Sequence, residues 1–266
     1  MAAAPAATGR RLRRFEATAL GAVIYHDFTM FKRYWPSTTF SSVVEPTIYL
    51  LAFGFGFGSL VAVVDGHRYR DFVGTGVVAT AVLFISAFGG MFQTFIRRTF
   101  QRTYDAMLAA PIDTHELVTG EAVWIALRAG VYGCTPLLVA MCFGLHPSPG
   151  MLITPLIGFV TGFGFACFGI WTSAVVPSID SFNYIISAVL TPLFLVAGTY
   201  FPLNRLPDWA QTLAQLNPLH HCVELVRDGV WGFRPLADLG HAAGLLIFAA
   251  LMWVLAVRRM RARLID

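Results

Sequence analysis

The 266 residues contain a single lysine, Lys32, within FKRYW. A phosphate-cradling G-x-x-x-x-G-K-[ST] loop ends on a lysine and a hydroxyl, so that loop is excluded, and with it ATP hydrolysis by a P-loop in this chain. H-E-x-x-H and G-x-S-x-G are missing as well, which removes two common hydrolase signatures. Charge of either sign is scarce. Only 13% of residues are charged and 56% are hydrophobic, against about 25% and about 45–50% in a typical soluble domain. The four cysteines, Cys134, Cys142, Cys167 and Cys222, form no C-x-x-C pair. Neither a disulfide framework nor a zinc site is expected, and they read as small packing residues. His220 and His221 are adjacent and do not share a helix face, so no metal is expected there either.

What the chain does have is long uncharged stretches separated by short charged ones. A backbone in hydrocarbon must satisfy its own hydrogen bonds, as a helix or a closed barrel. The runs are continuous rather than alternating, which excludes the barrel. The expected fold is therefore an all-α polytopic membrane protein. Six runs have about the 17–25 residues needed to cross a bilayer, near 38–61, 72–96, 121–144, 151–175, 183–201 and 239–257. Residues 1–9 read as a disordered tail. Residues 10–36 read as an amphipathic helix in the cytoplasmic interface, with Leu20, Ile24, Phe28, Phe31 and Trp35 on one face, Asp27, Lys32 and Arg33 on others, and Pro36 at its end. A helix docked on the protein is the alternative. Residues 37–266 form the six-span domain, with no visible tandem or inverted repeat.

Arg10, Arg11, Arg13, Arg14, Lys32, Arg33, Arg97, Arg98, Arg102, Arg258, Arg259, Arg261 and Arg263 fall on one side of such a topology; Arg68, Arg70, Arg205, Arg227 and Arg234 fall on the other. The positive-inside rule then places both termini in the cytoplasm.

Two connections stand out. In the inner loop 97–121, Phe100, Tyr104, Met107 and Leu108 make a short apolar stripe, Pro111 breaks it, and Asp113 with Glu116 has capping-box spacing. That predicts a helix, a sharp turn and a second helix: either an amphipathic knuckle for a partner's groove or an ordinary interfacial loop. In the outer segment 202–236, Leu206, Trp209, Leu213 and Leu216 fall on one helical face, Asn217-Pro218 is a break, and Cys222, Val223, Val226 and Val230 form another face. Two short re-entrant helices are expected, acting as a gate or a lid, with Glu224, Arg227 and Asp228 as a charge cluster. Gly54 with Gly58, and Gly158, Gly162 and Ala166, have the small-x-x-x-small spacing of close helix contacts. Glu45 and Arg128 are the ionisable residues nearest the hydrocarbon; each lies close enough to an edge to snorkel. No paired carboxylates for a proton relay are apparent.

In this order of parts the chain resembles the type-2 permeases of ATP-binding-cassette exporters, and more narrowly their nodulation-protein-J-like branch, whose namesake exports lipo-oligosaccharides. The matching stretches include EPTIYLLAFGFGFG, VDGHRYRDFV, QRTYDAMLAAPI, VPSIDSFNY, TPLFLVAGTYFPLNRLP and LNPLHHCVELVRDGV. The resemblance implies an ATPase-coupling helix at Gln101, Arg102, Tyr104, Asp105, Met107, Leu108, Pro111 and Ile112. It implies outer-gate positions at Pro202, Pro207, Asn217, Pro218, Glu224 and Arg227. It also implies a separate cytosolic ATPase carrying the ATP and Mg, a second permease subunit, as a homodimer or in some members of the family a heterodimer, and a bacterial inner-membrane location. This chain itself would hold no cofactor, have no enzyme activity and bind no nucleic acid. The apolar, aromatic-rich spans fit a lipid-like or amphiphilic cargo, for which Glu45, Trp171, Tyr184 and Tyr200 are candidate path residues. The alternative is an ATP-independent secondary transporter or channel, which calls for buried ionisable pairs.

Overall fold

The computed structural model describes residues 16–61, 63–205 and 207–265. The tail at 1–9, Arg10, Arg11, Arg13, Arg14 and Leu206 lie outside them. Helix α1, Ala17–Leu51, is the first correction. It runs straight through Pro36 as one 35-residue helix instead of ending there. Proline removes one intrahelical bond, to the carbonyl four residues back. Here Lys32 and Pro36 are both exposed, so the freed carbonyl points away from the protein. Ser37 Oγ donates to Tyr34 O at 3.1 Å and Ser41 Oγ to Ser37 O at 3.0 Å, supplying extra bonds to the backbone around the proline. The expected interfacial helix and first span are thus one rod, continued by a π turn at Ala52–Gly56 and a 3₁₀ turn at Phe57–Ser59.

The docked face of α1 is also one position away from the expected stripe. Before Pro36, Ala19, Val23 and Asp27 are the buried residues, while Phe28 and Trp35 are exposed. A hairpin follows, with Val63–Val64 (β1) antiparallel to His67–Arg68 (β2). Asp65 and Gly66 both have positive φ, as the two-residue turn requires.

Four helices are long and apolar enough to cross a membrane by length and composition: Tyr69–Thr99 (α2), Thr114–Cys142 (α4), Pro149–Val175 (α5) and Pro235–Leu264 (within α9, Pro235–Ile265). Between α2 and α4 lies the short α3, Thr103–Ala109. The expected fifth span is a shorter apolar helix, Ile179–Leu195 (α6), bent by a π turn at Ile186–Leu190. Helices α7, Asp208–Gln215, and α8, Pro218–Trp231, form a hairpin in the segment expected at the outer face. Of the six expected spans, the first and fifth therefore exist as helices without meeting the length-and-apolarity standard of the other four.

Helix α2 is the hub. Phe72, Val73, Val77, Val78, Leu83 and Met91 are buried along it, and α1, α4, α5 and α8 pack around it. Its crossing with α5 is set by glycine: a Cβ on Gly90 would lie 2.4 Å from Ala166 O, and one on Gly169 2.5 Å from Ala87 O. The stripe Gly158, Gly162 and Ala166 does serve close packing, since a Cβ on Gly162 would lie 2.8 Å from that of Ala129 in α4. Gly54 and Gly58 have ordinary clearance and make no such crossing.

Candidate functional site: the knuckle and the helical hairpin

At the knuckle the chain leaves α2, turns at Arg102 in the left-handed region (φ 50°), and forms α3. The apolar stripe divides. Tyr104 is fully buried, Met107, Leu108 and Ile112 pack half-buried against the cluster around Val23, Leu117 and Val118, and Phe100 is 66% exposed. The outward face of α3 therefore carries Gln101, Arg102, Asp105, Ala106 and Ala109, followed by Pro111. The capping box forms: Asp113 accepts from Thr114 N at 2.7 Å, and Glu116 Oε2 accepts from Asp113 N at 3.0 Å. The other oxygen of Glu116 accepts from Glu16 N at 2.7 Å, so one carboxylate holds the starts of α1 and α4. With its inner face packed and the helix after it capped at its start, α3 is a stiff element rather than a tether.

Beneath it lies a buried charge cluster, whose absence the sequence pattern had suggested. Arg97 Nη1 donates to Asp27 Oδ1 at 2.8 Å and to Glu121 Oε1 at 3.3 Å. Tyr104 donates its hydroxyl proton to the other oxygen of Glu121. Burial first, and the Glu121 charge second, hold the Tyr104 phenol well above the ordinary tyrosine range, so it is a donor at every physiological pH. Asp27 and Glu121 are 1% exposed. The side chains come from α1, the last turn of α2, α3 and α4, so this one network ties the knuckle to three long helices. Its residues are 70 and 24 positions apart in sequence, and each alone reads as a charge at a helix edge. Around it, Trp124 takes Phe28 and Phe31 edge-on at 5.8 and 5.6 Å. Arg128 lies over Phe31 at 5.7 Å, and Trp253 Nε1 of α9 donates to Thr119 Oγ1 at 2.8 Å.

At the other end, Asn217 caps α8 by accepting from Leu219 N at 2.9 Å while its Nδ2 donates to Leu193 O at 2.7 Å. Cys222, Val223, Val226 and Val230 turn into the core as their spacing predicted. The apolar face of α7 turns outward instead: Trp209 is 69% and Leu216 77% exposed. Trp209 and Leu213 flank an apolar groove of about 510 Å³ shared with Val189, Pro192 and Leu193 of α6 and Val196 just after it. Arg227 is buried, donates to Gly198 O at 2.8 Å and stacks 3.7 Å over Phe72. Burial lowers its pKa to about 10 despite the Glu224 carboxylate beside it. Arg234 completes the expected Glu224–Arg227–Asp228 cluster, reaching Asp228 with two nitrogens at 2.8–3.0 Å and Glu224 at 3.1 Å. Burial pushes the Asp228 carboxyl up to about 6 although Arg234 pulls the other way. Pro202 lies in the turn before α7 and Pro207 at its N-cap.

The four path candidates do not converge. Glu45 lines a small cavity of about 120 Å³ with Ser41, Tyr49, Val77, Thr80 and Phe84. Tyr200 adjoins it through rings, 4.5 Å from Phe53 and 5.7 Å from Phe194, which is itself 5.8 Å from Phe84. Trp171 sits elsewhere, beside Phe168 at 6.1 Å in the cluster under the knuckle, and Tyr184 is 78% exposed on α6. A third histidine does reach the His220-His221 pair: His241 Nδ1 is 2.8 Å from His221 Nδ1. Among the described residues no three His, Cys, Asp or Glu side chains come together as a metal ion requires. All four cysteines are free.

This arrangement can be set against known proteins. The ABC-2 type transporter profile matches residues 18–231. The chain is similar to nodulation protein J of Sinorhizobium fredii (strain NBRC 101917 / NGR234), 32% identical over 92% of this chain and 94% of that protein. It is 30% identical to nodulation protein J of Rhizobium meliloti (strain 1021), with the same coverage. It is also similar to the inner membrane transport permease YadH of Escherichia coli (strain K12), 24% identical over 89% of this chain and 92% of that one. With most of its length inside the family profile and its helices built for a bilayer, the chain belongs to the ABC-2 type transporter family as a membrane permease.

Proposed function

We propose that this permease is the membrane half of a bacterial inner-membrane exporter, driven by a separate cytosolic ATPase that docks on the knuckle at 101–112. Two permease copies would enclose the pathway, with both termini on the ATPase side. The observation that carries this reading is the connection of α3 to the spans through Tyr104, Glu121, Arg97 and Asp27. A force applied to a loose loop dissipates in the loop. A force on α3 acts on a packed helix whose buried tyrosine holds α4, and through Arg97 holds α2 and α1. Buried charged hydrogen bonds are strong and directional, so the four elements move together, and a tilt of the knuckle becomes a tilt of the helices. Glu45 and Tyr49 of α1 and Phe84 of α2 line the cavity such a tilt would reshape. The cargo that suits a cavity lined by Tyr49, Phe84 and Phe88, together with apolar grooves of about 510 and 560 Å³, is a lipid-like or amphiphilic molecule, a glycolipid among them.

The buried Asp27–Arg97–Glu121 group also gives the ATP-independent alternative a specific foothold. It lies at the inner ends of the helices beside the knuckle, which favours coupling over ion passage through mid-membrane. The test is co-purification of the full chain with its ATPase, followed by reconstitution. Cargo-stimulated hydrolysis that disappears with Arg102→Glu plus Ala106→Arg supports the proposal. Cargo movement by the permease alone, driven by a pH gradient, refutes it.

A further inference from the structure

The guanidinium next to Arg97 in sequence has none of its partners. Arg98 Nη2 donates to Ser173 O of α5 at 2.7 Å, and Nη1 is buried with nothing to bond. Met260 of α9, three residues before the exposed Arg263, packs in the same buried cluster as Ala174 of α5, next to Ser173, so Arg263 ends its helix at the same place as Arg98. Among the described residues no ion pair includes Arg98, Arg102, Arg258, Arg259, Arg261 or Arg263. Arg97 and Arg227, by contrast, are matched to carboxylates, Arg97 to Asp27 and Glu121 and Arg227 to Glu224, and Arg128 lies over the ring of Phe31. Two guanidiniums brought together at the ends of α2, α5 and α9, one with an unused buried N–H, are an incomplete site for an oxyanion with several acceptor oxygens.

We propose that Arg98 and Arg263 form a phosphate-binding site, filled by the head group of an anionic membrane lipid. Guanidiniums match phosphate oxygens in geometry and charge. The location selects the source: these residues end helices apolar enough to span a bilayer, and Phe100 lies exposed beside them, so the site meets the membrane surface. Arg258, Arg259 and Arg261, on the same end of α9 and exposed, add to the potential that draws anionic lipid there. The phosphate would accept the idle Arg98 Nη1 proton and neutralise the pair, fastening α2 to α9. This site stands whether or not the knuckle binds an ATPase.

The test uses the full chain in mild detergent. Lipid retention is measured by native mass spectrometry and thermal stabilisation with phosphatidylglycerol, phosphatidylcholine or inorganic phosphate added. Phosphatidylglycerol is expected to bind at least tenfold more tightly than phosphatidylcholine. Arg263→Gln, an exposed change that removes no internal bond, is expected to reduce that preference about fivefold, the worth of one cation at an anionic surface. Arg98→Gln should reduce it further; if that variant fails to fold, Arg263→Gln carries the test alone. Inorganic phosphate that protects as well as the lipid would identify a soluble phosphate as the source. A lipid advantage that persists in its presence identifies the head group. Equal binding of the two lipids with no phosphate effect overturns the site. So does an Arg263→Gln variant that keeps the full lipid preference.

Discussion

Tyr104→Phe is the sharpest probe of the buried network. It keeps the ring, and hence the packing of α3 against α4, and removes one oxygen. Glu121 is 1% exposed and would then lose its tyrosine donor while keeping the longer bond from Arg97 at 3.3 Å. Losing a hydrogen bond to a buried charged group costs about 1.5–3 kcal/mol. Glu121→Gln is expected to cost more, about 3–5 kcal/mol, because it removes the counter-charge that Arg97 shares with Asp27. Since the two residues touch, the double variant should fall short of additivity by about 1–2 kcal/mol. Stability is read from unfolding of the purified chain in detergent, and coupling from hydrolysis by the ATPase reconstituted with it. A tyrosine that transmits force should lower cargo-stimulated hydrolysis about tenfold in the Phe variant, while basal hydrolysis and complex assembly stay intact. Energies additive to within about 0.5 kcal/mol, or normal stimulation in Tyr104→Phe, would refute the argument.

Other expectations follow from the same geometry. Arg102→Glu and Ala106→Arg lie on the exposed face of α3, so stability should change by less than about 0.5 kcal/mol while ATPase capture is lost. Met107→Asp should lose stability as well, because that side chain packs inward, and equal stability in both kinds of variant would disprove the assignment of faces. Gly90→Ala places a methyl 2.4 Å from Ala166 O and should destabilise by at least about 1–3 kcal/mol, whereas Gly58→Ala should be nearly silent in the same unfolding assay. The outer cluster should show a pH dependence. Asp228 has its carboxyl pKa raised from 3.8 to about 6, so the folded state binds more protons than the unfolded one between those values. Its contribution therefore weakens stability as pH rises from about 4 to about 6 and is constant above. Asp228→Asn should flatten that slope in a thermal titration.

Local chemistry was legible in the sequence where the interacting residues were neighbours. The Asp113–Glu116 capping box, the break at Asn217-Pro218 and the buried face of α8 all rest on spacings of a few residues, and each formed. The Gly158–Gly162 stripe was legible for the same reason. What escaped depended on tertiary partners. Asp27 looked like a solvated residue on the back of an amphipathic helix until α2 and α4 brought Arg97 and Glu121 to it. Pro36 looked like a stop because local rules weigh the lost bond without knowing that the freed carbonyl faces outward. Met107 and Leu108 looked like a docking surface because an apolar stripe does not say which body it docks on. Trp171, Tyr184, Tyr200 and Glu45 were grouped by residue type, and the packing of α5 and α6 separated two of them from the rest.

The clasp made by Glu116 also bears on how the chain is built on the ribosome. Its carboxylate receives the amide of Glu16, 100 residues earlier. At about 5–20 residues per second, the opening turn of the first helix emerges roughly 5–20 s before the group that closes it. During that interval the first two hydrophobic segments are already available to the insertion machinery. Nascent chains arrested before residue 116 should therefore leave that turn open to proteolysis, and chains arrested beyond it should not.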